Sequence, residues 1–344
     1  MRRTRKEDGG RTRNEDRGSG ESGPARRGMH TASSFLGPRS FASSFLVPRS
    51  LLLCLALSAC ETAESFTPQT SFSGARAMEY VRAQIEFGPR VPGTDGHRRA
   101  GDWIVEQMRV RSDTVIEQRF SHVTADGDTL PMRNILARIR PDAAQRVLYV
   151  AHWDTRPISD RASNPADRAV PVPGANDGAS GVALMMGVAD VLKTAPPTWG
   201  VDLLFVDGED YGDFTAGRDV LIGSKYFAQH LPSLDYRPLF GVVWDMIGDA
   251  SLGLYQEGHS VRRAPEIVSR VWQTAADLGY SQFFVPRVGE SVTDDHLPLL
   301  DAGLRVIDVI DIEFSAHHTP FDTIDKVSER SLQIVGDVAI KLLQ

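Results

Sequence analysis

The 344-residue chain predicts a three-layer α/β/α sandwich built on a mostly parallel mixed central sheet. Two observations carry that expectation. From Val147 onward, apolar runs of strand length alternate with stretches of helix length, the pattern of a sheet covered on both faces. The run Val201–Val206 is rich in Val, Leu and Phe and reads as a strand buried on both sides. It stops abruptly in three carboxylates, Asp207, Glu209 and Asp210, wrapped around Gly208. In open α/β sheets that edge is where ligand crevices form, and carboxylates are costly there unless a cation compensates them.

The elements follow in order. Ser71–Glu86 places Met78, Val81 and Ile85 on one helical face, and the Gly- and Pro-rich stretch Phe87–Gly93 ends it. A second helix is expected over about His97–Val110, then strands near Thr114–Phe120 and Asn134–Ile139 with a turn at Ala125–Asp128. Val147–Ala151 is a strand and Gly181–Leu192 a helix with a broad apolar face. After Val201–Val206 come a helix at Ile222–His230, a strand at Leu239–Trp244, a helix at Pro265–Leu278, a strand at Leu304–Ile310 and a closing helix at Ser328–Leu343. One domain over residues 71–344 accommodates all of them.

The amino-terminal residues differ in kind. Met1–Gly28 is Arg, Gly, Glu and Asp with almost nothing apolar, a disordered composition, and Met29 is an alternative start. A duplicated Ser-Ser-Phe-Leu-x-Pro-Arg-Ser at Ser33–Ser40 and Ser43–Ser50 leads to Arg49 and the apolar run Leu51–Ala59, which has the order of a secretory signal. Leu57-Ser-Ala-Cys60 resembles the lipobox of bacterial lipoproteins. That resemblance implies a lipid on Cys60, export, and a membrane-anchored protein tethered by the polar residues 60–70. The only other cysteine is Cys54, so the mature body has none left for disulfides. Beyond residue 59 the chain holds 27 basic and 40 acidic residues, which argues against a nucleic-acid partner.

Other strands end like the first. His152 and Asp154 follow Val147–Ala151, Asp245 follows Leu239–Trp244, and the last strand leads through Asp308, Asp311 and Glu313 to His317 and His318. Asp177 lies in a Gly- and Ala-rich loop before a helix, and Asp294-Asp295-His296 in another loop. Imidazole and carboxylate without thiolate is the donor set of a catalytic zinc site. Two residues apart at a strand end, His152 and Asp154 face the same way, so Asp154 is expected to orient the imidazole. Of the adjacent pair Glu209 and Asp210, one can bind metal while the other serves as base. No His-Glu-x-x-His, phosphate loop or complete Gly-x-Ser-x-Gly is present, since Val261-Arg262 denies Gly258-His-Ser260 its last glycine.

Taken together, Phe87–Gly93, His152-x-Asp154, Gly174-Ala-x-Asp177, Asp207-Gly-Glu209-Asp210, Asp245 and His318-Thr with Asp322-Thr323 resemble the zinc exopeptidase family of bacterial aminopeptidases and glutaminyl cyclases. The resemblance covers roughly Phe72 to the carboxyl terminus. It implies that Asp177, Asp210 and His318 hold a principal zinc, that His152 and Asp245 hold a second in the aminopeptidases with Asp177 bridging, and that Glu209 is the general acid/base. One or two ions are compatible with it. Substrates would be peptides or proteins with a free amino terminus. Asp294-Asp295-His296 and the long segment Tyr211–Ile222 resemble the cyclase branch, where Asp294 would help manage the amine proton. The loop Gly178–Gly181 resembles the peptidases, His317 replaces the tryptophan of animal cyclases, and Asp210 replaces the commoner Glu. The expectation is therefore a glutaminyl-peptide cyclotransferase, with an aminopeptidase as the alternative and a catalytically dead binding ectodomain as a third reading.

Overall fold

The structure, a computed structural model, describes residues 66–344. The amino-terminal extension, the signal-like run, Cys60 and the first part of the tether lie outside the described residues. Among the described residues, no helix is long and apolar enough to cross a membrane.

Two helices, α1 (Gly74–Ile85) and α2 (Asp95–Arg109), open the fold and are capped by Ser73 and Thr94, whose hydroxyls accept the N–H of Arg76 and His97. The strands β1 (Thr114–Val123) and β2 (Thr129–Ile139) form an antiparallel hairpin in which Thr114 faces Arg138. Then β3 (Arg146–His152), α3 (Ala179–Thr194), β4 (Gly200–Val206), α4 (Ile222–Gln229) and β5 (Phe240–Asp245) alternate. The remaining elements are β6 (Leu254–Gln256), α5 (Gly258–Arg263), α6 (Pro265–Asp277), β7 (Phe284–Val288), α7 (His296–Asp301), β8 (Val306–Ile310) and α8 (Glu329–Lys341).

The main sheet has the order β1-β2-β4-β3-β5-β8. Strands β4, β3, β5 and β8 are parallel neighbours, and the hairpin joins antiparallel through β2. Alternate strand residues serve two cores. Val147, Tyr149, Ala151, Leu203 and Phe205 pack with α1, α2, α3 and α8, while Leu148, Val150, Leu204 and Val206 pack with Phe227 of α4 and Leu299 of α7. Both faces are thus covered, as expected from the apolar strands. From β3 the chain crosses to β4 on one side and then to β5 on the other, so the carboxyl ends of β4, β3 and β5 flank a switch point, where a crevice opens.

Four elements were not foreseen: the short parallel pair β6/β7 and the six-residue helices α5 and α7. They are too short to develop a period, and Pro286 and Gly289 interrupt the apolar signal around them. The stretch read as a tether also ends earlier than expected. Gln69 and Thr70 donate their backbone N–H to Asp337 of α8 at 2.9 Å each, and Phe66 stacks on Tyr280.

Candidate metal centre

Gly208 turns the chain sharply after β4. Its φ of +68° belongs to the left-handed region, and a Cβ there would lie 2.2 Å from the Met132 side chain, so only glycine suits the turn. Beyond it, Glu209 and Asp210 are fixed by their backbone: their N–H groups donate to the two oxygens of Asp154 at 3.1 and 3.2 Å. This adds to the role expected of Asp154. Asp154 Oδ1 also lies 3.6 Å from His152 Nδ1, the imidazole it was expected to orient, so one carboxylate serves both the loop and the ring. Asp207 is removed from the metal question, since it takes the N–H of Arg133 at 2.7 Å and pairs with His97 Nε2 at 2.8 Å.

Asp177 reaches both halves of the site. Its Oδ1 lies 3.1 Å from His152 Nε2 and its Oδ2 3.7 Å from His318 Nε2. Asp245 Oδ1 is 3.1 Å from the same His152 nitrogen, and Asp210 Oδ1 is 3.2 Å from His318 Nε2. Donors about 2.0–2.3 Å from a tetrahedral zinc lie roughly 3.3 Å apart, so these separations suit ions held between them. The loop carrying Asp177 approaches closely through Gly178, whose φ is +88° and whose Cβ would meet Asp154 O at 2.8 Å. Asp322 holds the same loop by accepting the N–H of Asn176 and Asp177 at 2.8 and 3.0 Å. Met246 and His318 both have positive φ, of 46° and 56°, so backbone strain is stored beside Asp245 and at a donor itself.

The electrostatics ask for positive charge. Burial pulls the His152 imidazole down, but Asp245, Asp154 and Asp177 outweigh it and hold its pKa well above the usual value. His318 is raised to about 9 in the same way, by Asp210 and Asp160 against burial. A dication among these donors supplies the charge that the protons otherwise bring. Asp210 Oδ2 is buried without a hydrogen-bond partner, an orphaned lone pair that a metal satisfies. The residues present therefore fit zinc: His152, Asp177 and Asp245 lie mutually close on one side, and His318 lies within reach of both Asp177 and Asp210 on the other.

His317 stands near Asp177 and His318 and could be counted among the donors. Its Nδ1 lies 3.0 Å from Arg161 Nη1, and a guanidinium can only donate. The ring proton therefore sits on Nε2, and burial, with His318 beside it, lowers its pKa to about 3. As placed, His317 is a neutral hydrogen-bond donor rather than a ligand.

Glu209 and Asp294 line a cavity of about 740 Å³ whose far walls include Phe214, Ile310 and Ile312. Burial raises Glu209 well above the ordinary carboxylate range, and the charge of Asp294 adds to it. Asp294 is itself raised to about 6 by burial and then by Asp245. Two buried acids with raised pKa values on one cavity are equipped for proton transfer.

Over residues 134–343 the sequence matches Peptidase family M28. The chain belongs to that family. It is a zinc-dependent enzyme, and its relatives divide between two activities. Aminopeptidase YwaD of Bacillus subtilis is 25% identical over 288 residues, covering 77% of this chain, which spans 56% of that relative's length. The crystal structure of Porphyromonas gingivalis glutaminyl cyclase superposes with a TM-score of 0.77 and 38% identity, covering 79% of this chain and 98% of that one. A leucine aminopeptidase precursor from Bacteroides thetaiotaomicron has a TM-score of 0.77 and 33% identity, covering 80% and 97%.

Of the residues singled out in this M28 site, His152, Asp177, Glu209, Asp210, Asp245, Asp294 and His318 converge, and Asp154 supports them from behind. Sequence reasoning missed four that matter. Arg90, inside Phe87–Gly93, is buried and donates to the carbonyls of Trp153, Pro173 and Gly174. Arg156, Asp160 and Arg161 follow His152 closely in sequence, and that adjacency was the available signal.

Proposed function

We propose that the enzyme is a glutaminyl-peptide cyclotransferase, converting an amino-terminal glutamine to pyroglutamate with release of ammonia. The observation that carries this reading is the placement of Glu209 and Asp294 on one cavity, each with its pKa raised by burial and a neighbouring carboxylate. Asp177, Asp210 and His318 would hold zinc, which would supply Lewis-acid polarisation of the substrate side-chain carbonyl. Glu209 takes a proton from the α-amine as its nitrogen bonds to the side-chain carbonyl carbon, and gives it to the departing amide nitrogen, so that ammonia leaves as that C–N bond breaks. Asp294 keeps the Glu209 pKa high enough for both transfers. His317 Nε2–H offers a neutral donor at the cavity wall, and Phe214 with Ile310 and Ile312 limits water around the substrate side chain.

A second reading is supported by His152, Asp177 and Asp245, whose closely spaced donors suit a second ion as in an aminopeptidase. The discriminating experiment offers zinc-loaded protein a glutaminyl and a leucyl peptide and weighs the products. Ammonia loss from the first alone is expected. Free leucine from the second, with no pyroglutamate from the first, would leave an aminopeptidase using the same Glu209. No change in either, with zinc bound, would favour the binding ectodomain.

We also propose export as a lipoprotein anchored through Cys60 to a bacterial membrane, on the strength of Leu57–Cys60. Intact-mass analysis is expected to find a lipidated chain beginning at Cys60, and a Cys60→Ala chain without lipid. An unmodified wild-type chain would end this reading.

A further inference from the structure

The loop that leaves β3 does more than carry His152 to the site. Arg156, almost fully buried, grips two acids at once: Nη1 donates to Asp210 Oδ1 at 2.7 Å, while Nε and Nη2 fork onto Asp160 at 3.0 and 2.7 Å. Asp160 Oδ1 in turn faces His318 Nδ1 at 3.4 Å. One guanidinium thus connects both members of the Asp210–His318 half of the site, and the same loop holds the next residue, because Arg161 donates its N–H to the His318 carbonyl at 3.2 Å. The fork leaves Asp210 Oδ2 as its free oxygen.

We infer that Arg156 and Asp160 form a positioning clamp that fixes the angle of the Asp210 carboxylate and presents His318 through Nε2 to the principal zinc. Aspartate is one methylene shorter than the Glu commoner at this position. Its carboxylate must be held at one angle to reach the ion, and the planar guanidinium, with its fixed donors, can set that angle. Asp160 completes the clamp in two ways. It takes the Nδ1–H of His318, which leaves Nε2 with the lone pair that ligates. It also offsets the charge of Arg156, so the clamp orients the ligands without repelling a dication. Burial opposes its ionised form, yet His318 and Arg156 together hold its pKa below the ordinary carboxylate value.

The inference rests on the reading that Asp177, Asp210 and His318 bind zinc, and the test separates the two. Zinc affinity is measured by competition with a chelating dye for wild type, Arg156→Met, Asp160→Asn, the double variant, and Asp126→Asn as an exposed control. Each clamp variant is expected to bind zinc about 10–100-fold more weakly, the double variant no more weakly than the worse single one, and the control like wild type. The Co²⁺ absorption bands are expected to change in Asp160→Asn, because ligand geometry alters. The sign is decisive for Arg156: a guanidinium that merely competes with zinc for Asp210 would give tighter binding when removed. Should Arg156→Met fail to fold, Asp160→Asn remains, since Asp160 is partly exposed and its loss leaves no buried cavity. Unchanged or tighter zinc binding in folded Asp160→Asn overturns the clamp, whereas wild type that binds no zinc overturns the metal reading beneath it.

Discussion

Strand β4 has a buried acid near its start and a cluster of them just past its end, and the two are treated oppositely. Asp202, fully buried, is satisfied on every side: Arg138 Nε donates to Oδ1 at 3.0 Å, and Arg146 Nε and the Tyr236 hydroxyl donate to Oδ2 at 2.8 Å each. Past the other end, Glu209 is pushed toward its neutral form by burial and the charge of Asp294, and Asp210 keeps one oxygen without a partner. Same strand, same residue class, similar burial: the difference lies in whether the protein supplies its own counter-charge. Where it does, the acid holds the fold together; where it withholds one, the acid is left for a metal and a substrate.

The largest effect expected from breaking this contrast is at Glu209. Glu209→Gln keeps the shape and removes the proton acceptor, so turnover should drop by ~10²–10⁴ with zinc content unchanged, whereas Asp210→Ala should lose the metal. Equal zinc in both variants would mean the adjacent pair is assigned the wrong way round. Next comes Asp202→Ala, which strands the buried guanidinium of Arg146 and the half-buried one of Arg138 and should cost about 3–5 kcal/mol of stability by chemical denaturation. Activity per folded molecule should be untouched, and a change there would show that the two ends of β4 are coupled.

The smallest effect sharpens the picture of the acidic end. Glu209 works as a base only when ionised, so activity falls as the pH drops through its pKa. Because burial and then the charge of Asp294 hold that pKa up, Asp294→Asn should move the acid limb of kcat/KM to lower pH. The shift should fade at assay pH values below about 6, where Asp294 itself takes up a proton. A limb that stays in place or moves upward would place the controlling charge elsewhere.

Much of this contrast was legible in the chain and some was not. Val201–Val206 announced a buried strand, and acids at its end and at the ends of its neighbours announced a site. Local pattern did not distinguish Asp207 from Asp210; only the family resemblance did. Asp207 is paired with His97 of α2, while Asp210 faces His318, and both partners lie far away along the chain. Asp154 was assigned to the nearest imidazole because period-two geometry puts it there, but its second task, holding two backbone N–H groups beyond Gly208, was not legible. His317 was read only as a missing indole. Its tautomer, and so its character as donor, depends on Arg161.

The sequence by itself determined the alternation of strands and helices, the chemical type of the site and the list of residues that gather there. These follow from local periodicity and from the cost of burying charge, both of which act within a few residues. Tertiary structure alone decided which carboxylates are neutralised by the protein and which are reserved for zinc, and how Arg156 and Asp160 brace the ligands. Those outcomes depend on distances of a few ångströms between side chains brought together from separate strands, loops and helices, and no local pattern encodes them.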